Sequence, residues 1–420
     1  MKAFITFVFP KLFRSMLSKI KLHWQILIAL VLAVTFGYFV PDLVQYVSWM
    51  GVVFLRGLNM VVVPLILSSI ISGVASIGSG SNLGRLGMKT LSYYIVTSLI
   101  AILTGLFFVN LLQPGVGANL GTAETIQSLP AASTSVSDIL IRTIPDNIFD
   151  AMAKGQILPV IFFAILFGAF ITHIPGKKQE FLISLFDSIF EVMMKITMFI
   201  IRFTPLGVFA IVSKEVAKNS GSLGNIAGSL GIYMLTVFIA LIFHAGIILP
   251  LSVKIIGKAN PYKHFRNMAA PLLTAFSTSS SNAALPLSME AVENKSGVSN
   301  KITSFTLPLG ATINMNGTAL YECVAVIFIA QAYGIQLSMS QQAIVVATAL
   351  LAAIGSAGIP MAGLVMMTIV LTAVNLPLEG VGLILAVDRI LDMSRTTVNV
   401  WGDTCAAVII AKSEGETLNV

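Results

Sequence analysis

The stretch AVDRILDMSRTTVNVWGD, residues 386–403, decides the fold, because it places charged side chains inside a long apolar run. That run predicts a helix over about 380–411. A charge at the centre of a membrane costs about 2.5–3.5 kcal/mol. The pattern therefore indicates either a binding site within a membrane or ion pairs that only hold helices together. Successive residues of a helix are about 100° apart around its axis. A polar stripe within an arc of roughly 80° therefore contains Asp388, Asp392, Arg395, Asn399 and Asp403.

The composition is that of a membrane protein. Hydrophobic residues make up 56% of the 420 residues and charged residues only 10%, which is too little charge to cover a soluble domain. We therefore expect residues 1–420 to form one membrane unit within a lipid bilayer. The net charge of +7 comes from basic residues in short segments between apolar runs. This positive-inside pattern predicts a multi-pass protein of the cell (inner or plasma) membrane with a cytoplasmic N-terminus, and it argues against a nucleic-acid partner.

Apolar runs of about 20 residues, the length that crosses a bilayer, recur along the first part of the chain. The polar segment from about residue 114 to 154 separates two sets of these runs and is predicted to be external. We predict spans near residues 23–41, 47–77, 90–112, 157–174, 180–213 and 224–256.

The pattern changes beyond residue 260. Segment 271–289, PLLTAFSTSSSNAALPLSM, has two apolar arms around a serine cluster, and segment 354–363, IGSAGIPMAG, repeats this design with glycines at its tip. Each arm is too short to cross a bilayer, so both segments are predicted to be re-entrant hairpins. Polar residues in GATINMNGTALYE, 310–322, predict a helix that breaks near Asn314–Asn316. Non-helical backbone at membrane depth occurs where it is buried in protein or lines a cavity, so these breaks point to a ligand site.

The charges of the stripe match those of an acidic amino acid, which carries one ammonium group and two carboxylates. Asp392 can pair with the ammonium group, and the planar guanidinium of Arg395 can hold the side-chain carboxylate with two hydrogen bonds. Asn399, Ser280 and Ser281 can hold the α-carboxylate, helped by the positive ends of short helices.

Hard oxygen atoms near the same stripe can hold a cation. Asp403, Asn399 and Asn314 offer such oxygens, together with carbonyl groups of the broken helix. We expect no bound cofactor beyond these coupling cations.

Glu322 is a further informative charge, because it lies inside an apolar span. Burial away from water favours the protonated form of a carboxyl group, so we hypothesise that Glu322 carries a proton. The alternative is a permanent ion pair with a basic residue, for which Arg389 is the candidate.

These motifs resemble the glutamate transporter family, which comprises excitatory amino-acid transporters, archaeal aspartate-transporting relatives, and bacterial dicarboxylate/amino acid:cation symporters. The resemblance runs from about residue 22 to 413. It is most specific in SSSNAALP (279–286), GATINMNGTALYE (310–322), GSAGIP (355–360) and DMSRTTVNVWGD (392–403).

The resemblance implies an all-α polytopic fold with eight transmembrane helices, two re-entrant helical hairpins and inverted repeats. It also implies a homotrimer that works as an elevator-type transporter. The fixed scaffold would comprise about 22–77 and 140–213, and the mobile transport domain about 88–113 and 224–412.

The resemblance implies site residues at the positions that match each family motif. It also matches Glu322 with the proton-carrying glutamate of the animal members. The implied substrate ligands are Asp392, Arg395, Asn399, Thr318, Ser281 and the backbone at Ile359 and Gly363. The implied cation ligands are Tyr94, Thr97, Ser98, Asn314, Asp388, Asn399 and Asp403, with carbonyls near Gly310, Thr312, Met315, Ala353, Ile354 and Ser356.

One departure from the family affects the cation sites. The usual NMDGT is NMNGT here, so Asn316 replaces a cation-binding aspartate and removes a negative charge from an implied sodium site. The family arginine found in the first hairpin or just after the amino-binding aspartate is absent, and those positions hold Ser279 and Met393. Arg389 is the candidate replacement.

The sequence thus predicts a symporter for aspartate or glutamate that is coupled to sodium, protons or both. A proton-only glutamate symporter and a cation-coupled C4-dicarboxylate carrier remain alternatives, although Asp392 disfavours the latter. An ion channel is a third class. An intramembrane enzyme is disfavoured because the chain has neither an HExxH motif nor a P-loop.

Overall fold

A computed structural model describes residues 22–77, 83–118, 144–218, 223–354 and 362–420, and the regular structure within these ranges is entirely helical. The prediction of an all-α protein is confirmed. The predicted external loop falls mostly outside the described residues.

The first part of the described chain is built from long apolar helices. A short 3-10 helix at Pro41–Tyr46 joins the first two. The helices are α1 (Leu22–Phe39), α2 (Ser48–Ile77), α3 (Leu83–Leu112), α4 (Ile148–Ala153), α5 (Ile157–Ile171), α6 (Lys177–Ile201) and α7 (Thr204–Lys218).

The region predicted as one span, 180–213, is a bent pair of helices. Helices α6 and α7 are separate and meet at an angle of 52°. The physical reason lies at Pro205, the second residue of α7, which has no backbone N–H to donate to the preceding turn and whose ring disfavours a continuous helix.

The second part of the chain contains the segments that the sequence predicts to be interrupted. A π-helical turn, His244–Ile248, joins its first two helices. The helices are α8 (Leu223–Phe243), α9 (Leu249–Ile255), α10 (Pro261–Asn267), α11 (Ala269–Thr278), α12 (Ser281–Asn294), α13 (Asn300–Ile313), α14 (Asn316–Ala332), α15 (Met339–Ile354), α16 (Ala362–Ala373) and α17 (Gly380–Ser413).

Helices α11 and α12 form the first predicted hairpin and pack against each other. The chain reverses at Ser279, whose left-handed backbone has φ 53°. Ser280 then caps α12, because its hydroxyl accepts a hydrogen bond from the Ala283 N–H at 3.3 Å. Helices α15 and α16 also pack together, but the tip between them, residues 355–361, lies outside the described residues. That the hairpins re-enter the membrane stays a prediction.

The predicted break in the GATINMNGTALYE segment is confirmed, because α13 ends at Ile313 and α14 begins at Asn316. Nearly every residue of α14 is buried. Helix α14 packs against α3 and α17 and thus occupies the centre of the second part of the chain.

The described helices pack in two groups. Helices α1, α2, α5, α6 and α7 pack mainly against one another, and α3 packs with α8 and the helices that follow it. Contacts such as those of α17 with α7 join the two groups.

Three helical stretches among the described residues are long and apolar enough to cross a membrane: Arg85–Leu112, Ala227–Ile255 and Asn300–Ala332. The bent pair α6 and α7 gives a fourth if it counts as one span. The other described apolar helices are shorter, so the count of eight spans remains a prediction.

Candidate functional site

The polar stripe of the last helix lies in the protein interior. Helix α17 is continuous over Gly380–Ser413, so the helical repeat places the five side chains on one face as predicted. Their exposed fractions are between 1% and 4%. These charges therefore sit away from water and need partners within the protein.

Arg395 lies at the centre of a buried charge cluster. Its Nη2 donates to Asp392 Oδ1 at 2.8 Å, and its Nη1 donates to Asp388 Oδ1 at 3.1 Å. The two residues predicted to hold opposite ends of a substrate therefore pair with each other. Arg395 is thus shared between two carboxylates, those of Asp388 and Asp392.

Tyr321 and Gly363 form walls around the guanidinium of Arg395. The guanidinium carbon lies 4.1 Å from the centroid of the Tyr321 ring, in cation–π geometry. The Tyr321 hydroxyl donates to Asp388 Oδ1 at 2.6 Å. At Gly363 a Cβ atom would lie only 2.8 Å from that carbon, so glycine permits the close approach of α16. Sequence reasoning missed Tyr321, although it stands inside the GATINMNGTALYE motif.

Arg389 lies at the edge of this cluster. It is half-buried, and its Nη1 is 3.8 Å from Asp392 Oδ2. The alternative hypothesis of a permanent ion pair between Glu322 and Arg389 is wrong, because the helical position of Arg389 directs it towards Asp392 instead.

Glu322 is completely buried, and neither carboxylate oxygen has a hydrogen-bond partner within the described residues. A buried carboxylate without a partner is costly, whereas a neutral carboxylic acid is far less so. The geometry therefore favours a Glu322 that takes up a proton.

Asn399 links the last helix to the break before α14. Its Oδ1 accepts hydrogen bonds from the N–H groups of Gly317 at 2.8 Å and Thr318 at 3.3 Å. Its Nδ2 donates to the Thr318 hydroxyl at 3.0 Å. Asn399 thus caps α14 from a neighbouring helix. Gly317 allows this approach, because a Cβ there would lie 2.4 Å from the carbonyl oxygen of Arg395.

Asp403 and Asn314 meet beside the break, where the Asn314 Nδ2 donates to Asp403 Oδ1 at 2.9 Å. The Asn314 Oδ1 is buried and has no hydrogen-bond partner in the described part of the chain. Gly310 and Tyr94 border the same region, since a Cβ at Gly310 would lie 2.6 Å from Asp403 Oδ1 and 2.8 Å from the Tyr94 hydroxyl. A carboxylate, an unused amide oxygen and a phenol oxygen form a donor set suited to a hard cation.

Asn316 is the residue that the resemblance matches with a cation-binding aspartate. The Ser98 hydroxyl donates to its Oδ1 at 2.7 Å, while its Nδ2 is buried and has no partner among the described residues. An N–H group cannot coordinate a cation, so half of the Asn316 side chain is unsuited to a sodium site.

The remaining predicted residues are placed as follows. Thr97 is buried and donates to the Tyr93 carbonyl at 2.8 Å. Met315 and Ala353 are buried, whereas the Thr312 side chain is exposed, which leaves only its carbonyl as a candidate ligand. Ser281 is buried at the start of α12, which packs against α17. The Ile354 side chain, Ser356 and Ile359 lie outside the description.

Comparison with known proteins extends over almost the entire chain. Residues 22–413 match the model of the sodium:dicarboxylate symporter family. A proton/glutamate-aspartate symporter of Escherichia coli (strain K12) is 36% identical over 94% of this chain and 93% of its own length. A proton/sodium-glutamate symport protein of Geobacillus stearothermophilus is 37% identical over 95% of this chain and 96% of its own. Excitatory amino acid transporter 3 of Mus musculus is 34% identical over 93% of this chain and 85% of its own.

Proposed function

The chain belongs to the sodium:dicarboxylate symporter family, and we propose that it carries acidic amino acids, L-aspartate or L-glutamate, across the membrane together with sodium ions, protons or both. This is a family of symporters, not of enzymes. The observation that carries the proposal is the buried cluster in which Arg395 pairs with Asp392 and Asp388.

Substrate binding exchanges the partners of this cluster. The ammonium group of the amino acid takes the place of Arg395 on Asp392, and the freed guanidinium takes the side-chain carboxylate. Asp388 and the Tyr321 ring continue to hold the guanidinium in position during the exchange. Every charge then keeps an opposite partner, which matters because an unpaired buried charge costs several kcal/mol, on the order of 3–5.

The second carboxylate, on the α-carbon, is assigned to the start of α14 and the two hairpins. Thr318 and Asn399 lie at the N-terminal end of α14, where Asn399 accepts hydrogen bonds from the N–H groups of Gly317 and Thr318, and the partial positive charge of this helix end favours an anion. Ser280 and Ser281 at the first tip, with the backbone at 359 and 363, complete the proposed substrate site.

The proposed cation ligands surround the break between α13 and α14. The unpartnered Asn314 Oδ1 beside Asp403 supports this position. The proposed set includes side-chain oxygens of Tyr94, Thr97, Ser98, Asn314, Asn316, Asp388, Asn399 and Asp403, and carbonyls at Gly310, Thr312, Met315, Ala353, Ile354 and Ser356.

Proton coupling is assigned to Glu322. Its carboxyl group is buried, one helical turn after Thr318. It has no hydrogen-bond partner among the described residues. A neutral, protonated Glu322 is compatible with those surroundings. Release of the proton requires a conformational change that brings the carboxylate into contact with water or with a cation.

We further propose that α1, α2 and α4–α7 form a scaffold, along which α3 and α8–α17 move as an elevator in a homotrimer of the cell membrane. The packing of the described helices in two groups supports this division. The positive-inside pattern supports a cytoplasmic N-terminus.

One observation favours a second candidate function, a C4-dicarboxylate carrier. Arg389 lies 3.8 Å from Asp392 and can balance that carboxylate when a substrate has no ammonium group. We rank this function below amino-acid transport, because Asp392 remains a poor neighbour for a dianion.

Competition experiments in proteoliposomes separate the two functions. Unlabelled L-aspartate, L-glutamate, L-asparagine and succinate compete for uptake of labelled L-aspartate. The proposal predicts strong competition by the two acidic amino acids only. Equal competition by succinate would favour the dicarboxylate carrier, and competition by asparagine alone would contradict an acidic substrate.

A further inference from the structure

Residues 254–266, which comprise the end of α9, the turn after it and most of α10, interleave exposed cations with exposed apolar side chains; we name this segment the basic elbow. Lys254, Lys258, Lys263 and Arg266 are all exposed. Between them lie Ile255, Ile256, Tyr262 and Phe265, whose exposed fractions are 64%, 58%, 76% and 53%. Charged loops of a soluble surface rarely expose so much apolar area in so short a segment.

The basic elbow has a fixed backbone. Lys258 adopts a left-handed conformation with φ 44°, and Asn260 caps α10 by accepting hydrogen bonds from the N–H groups of Tyr262 and Lys263 at 3.1 Å. The inner side of α10 is held by His264, which stacks on Trp401 with ring centroids 5.2 Å apart. Its Nδ1 also lies 2.9 Å from the Ser296 hydroxyl.

Within α10, helical geometry places two cations and two aromatic side chains on the outer side together, and the Phe265 ring also contacts Trp401 edge to face at 5.3 Å. At about 100° per residue, Tyr262, Lys263, Phe265 and Arg266 fall within an arc of roughly 160°, and His264 lies opposite the middle of that arc. Burial lowers the pKa of His264 to about 4, so its ring is neutral at physiological pH and belongs to the packed side of α10.

The four cations have no acidic partner within the described residues. The ion pairs there involve other basic residues, such as Arg85 and Lys89, which both pair with Glu414 at 2.5 Å and 2.6 Å. The sequence also places no acidic residue near these cations, since none stands between Glu215 and Glu290. The basic elbow is thus a cationic surface that the protein itself does not neutralise.

We propose that the basic elbow is a binding site for the headgroups of anionic phospholipids at the cytoplasmic surface of the membrane. Cations near an anionic surface attract its phosphates, while aromatic and aliphatic side chains beside them enter the boundary between headgroups and acyl chains. Because α10 leads directly into α11, bound headgroups hold the base of the first hairpin at the membrane surface. The site does not depend on which substrate the protein carries.

Native mass spectrometry of the purified full-length protein tests this proposal. Phosphatidylglycerol or phosphatidylcholine is titrated into wild-type protein and into a Lys258→Gln/Lys263→Gln double variant. Each removed charge weakens binding of an anionic lipid by about 5-fold, so the double variant should lose about 25-fold in affinity for phosphatidylglycerol and little for phosphatidylcholine.

A matched control removes two exposed cations at the start of α6, as Lys177→Gln/Lys178→Gln. This control should bind phosphatidylglycerol like the wild type. A third variant, Tyr262→Ser, keeps every charge and should weaken binding of both lipids. The proposal is overturned if the elbow variant keeps wild-type affinity for phosphatidylglycerol, or if both double variants lose it equally. A failure here leaves amino-acid uptake unaffected, so it is distinct from a failure of the proposed transport function.

Discussion

Replacing Arg395 with glutamine removes the cation that lies between Asp388 and Asp392. Arg395 has an exposed fraction of 1% and makes three N–H···O contacts with these carboxylates. Loss of one partner of a buried, hydrogen-bonded charge pair costs about 2–5 kcal/mol. The half-saturating concentration of L-aspartate should therefore rise by about 30-fold or more, because about 1.4 kcal/mol corresponds to a factor of ten.

The comparison of aspartate with asparagine isolates the effect on the side-chain carboxylate. Asparagine has nearly the same shape but no side-chain charge, so its half-saturating concentration should change far less in Arg395→Gln. The assay is uptake of each labelled amino acid into proteoliposomes that contain wild-type or variant protein. Arg395→Lys serves as the control, because it keeps the positive charge but loses the planar guanidinium that makes two parallel hydrogen bonds. Its selectivity for aspartate over asparagine should be intermediate.

Stability is measured in parallel, because the glutamine variant leaves two buried carboxylates with one fewer partner. Thermal unfolding in detergent identifies variants that fail to fold. A folded Arg395→Gln protein in which aspartate and asparagine affinities weaken by the same factor would refute the assignment of Arg395 to the side-chain carboxylate.

Three further predictions concern the surrounding residues. Glu322→Gln replaces a carboxyl group by a neutral amide of similar size, so uptake should persist but lose its pH dependence; an unchanged pH profile of uptake would exclude Glu322 as the proton carrier. Asn316→Asp replaces the unpartnered Nδ2 by an oxygen, so the sodium concentration for half-maximal uptake should fall, and an unchanged value would show that this position lies outside the cation site. Asn399→Ala removes the cap of α14, which should lower the free energy of unfolding by about 0.5–2 kcal/mol and weaken aspartate binding as well; unaltered thermal unfolding and uptake would contradict both roles.

The sequence predicts the interior of this protein well where one helical period applies. The stripe of α17 follows from the spacing of its charges, because the helix is unbroken over 34 residues. The break at Asn314–Met315 follows from polar residues in an apolar span. Both features can be predicted from the local sequence, since the helical period and the polarity of a segment do not depend on neighbouring helices.

Partner choice within the site could not be read from the sequence. The ion pairs of Arg395 depend on which rotamers the surrounding helices allow, and the stacking of Tyr321 depends on the distance between α14 and α17. The alternative partner for Glu322, Arg389, contacts Asp392 instead, because its position on α17 directs it there. Pro205 is a local signal for the bend between α6 and α7, but the apolar run continues across this proline and favours a single span.

The most direct test of the account is uptake of labelled L-aspartate into proteoliposomes under an inward sodium gradient or an inward proton gradient alone. The account predicts accumulation above the external concentration with at least one gradient, and none when both gradients are dissipated. Sodium-driven uptake would mean that the cation sites tolerate Asn316, and uptake driven by protons alone would make Glu322 the coupling residue. Aspartate that merely equilibrates across the membrane, whichever gradient is imposed, would contradict cation-coupled symport.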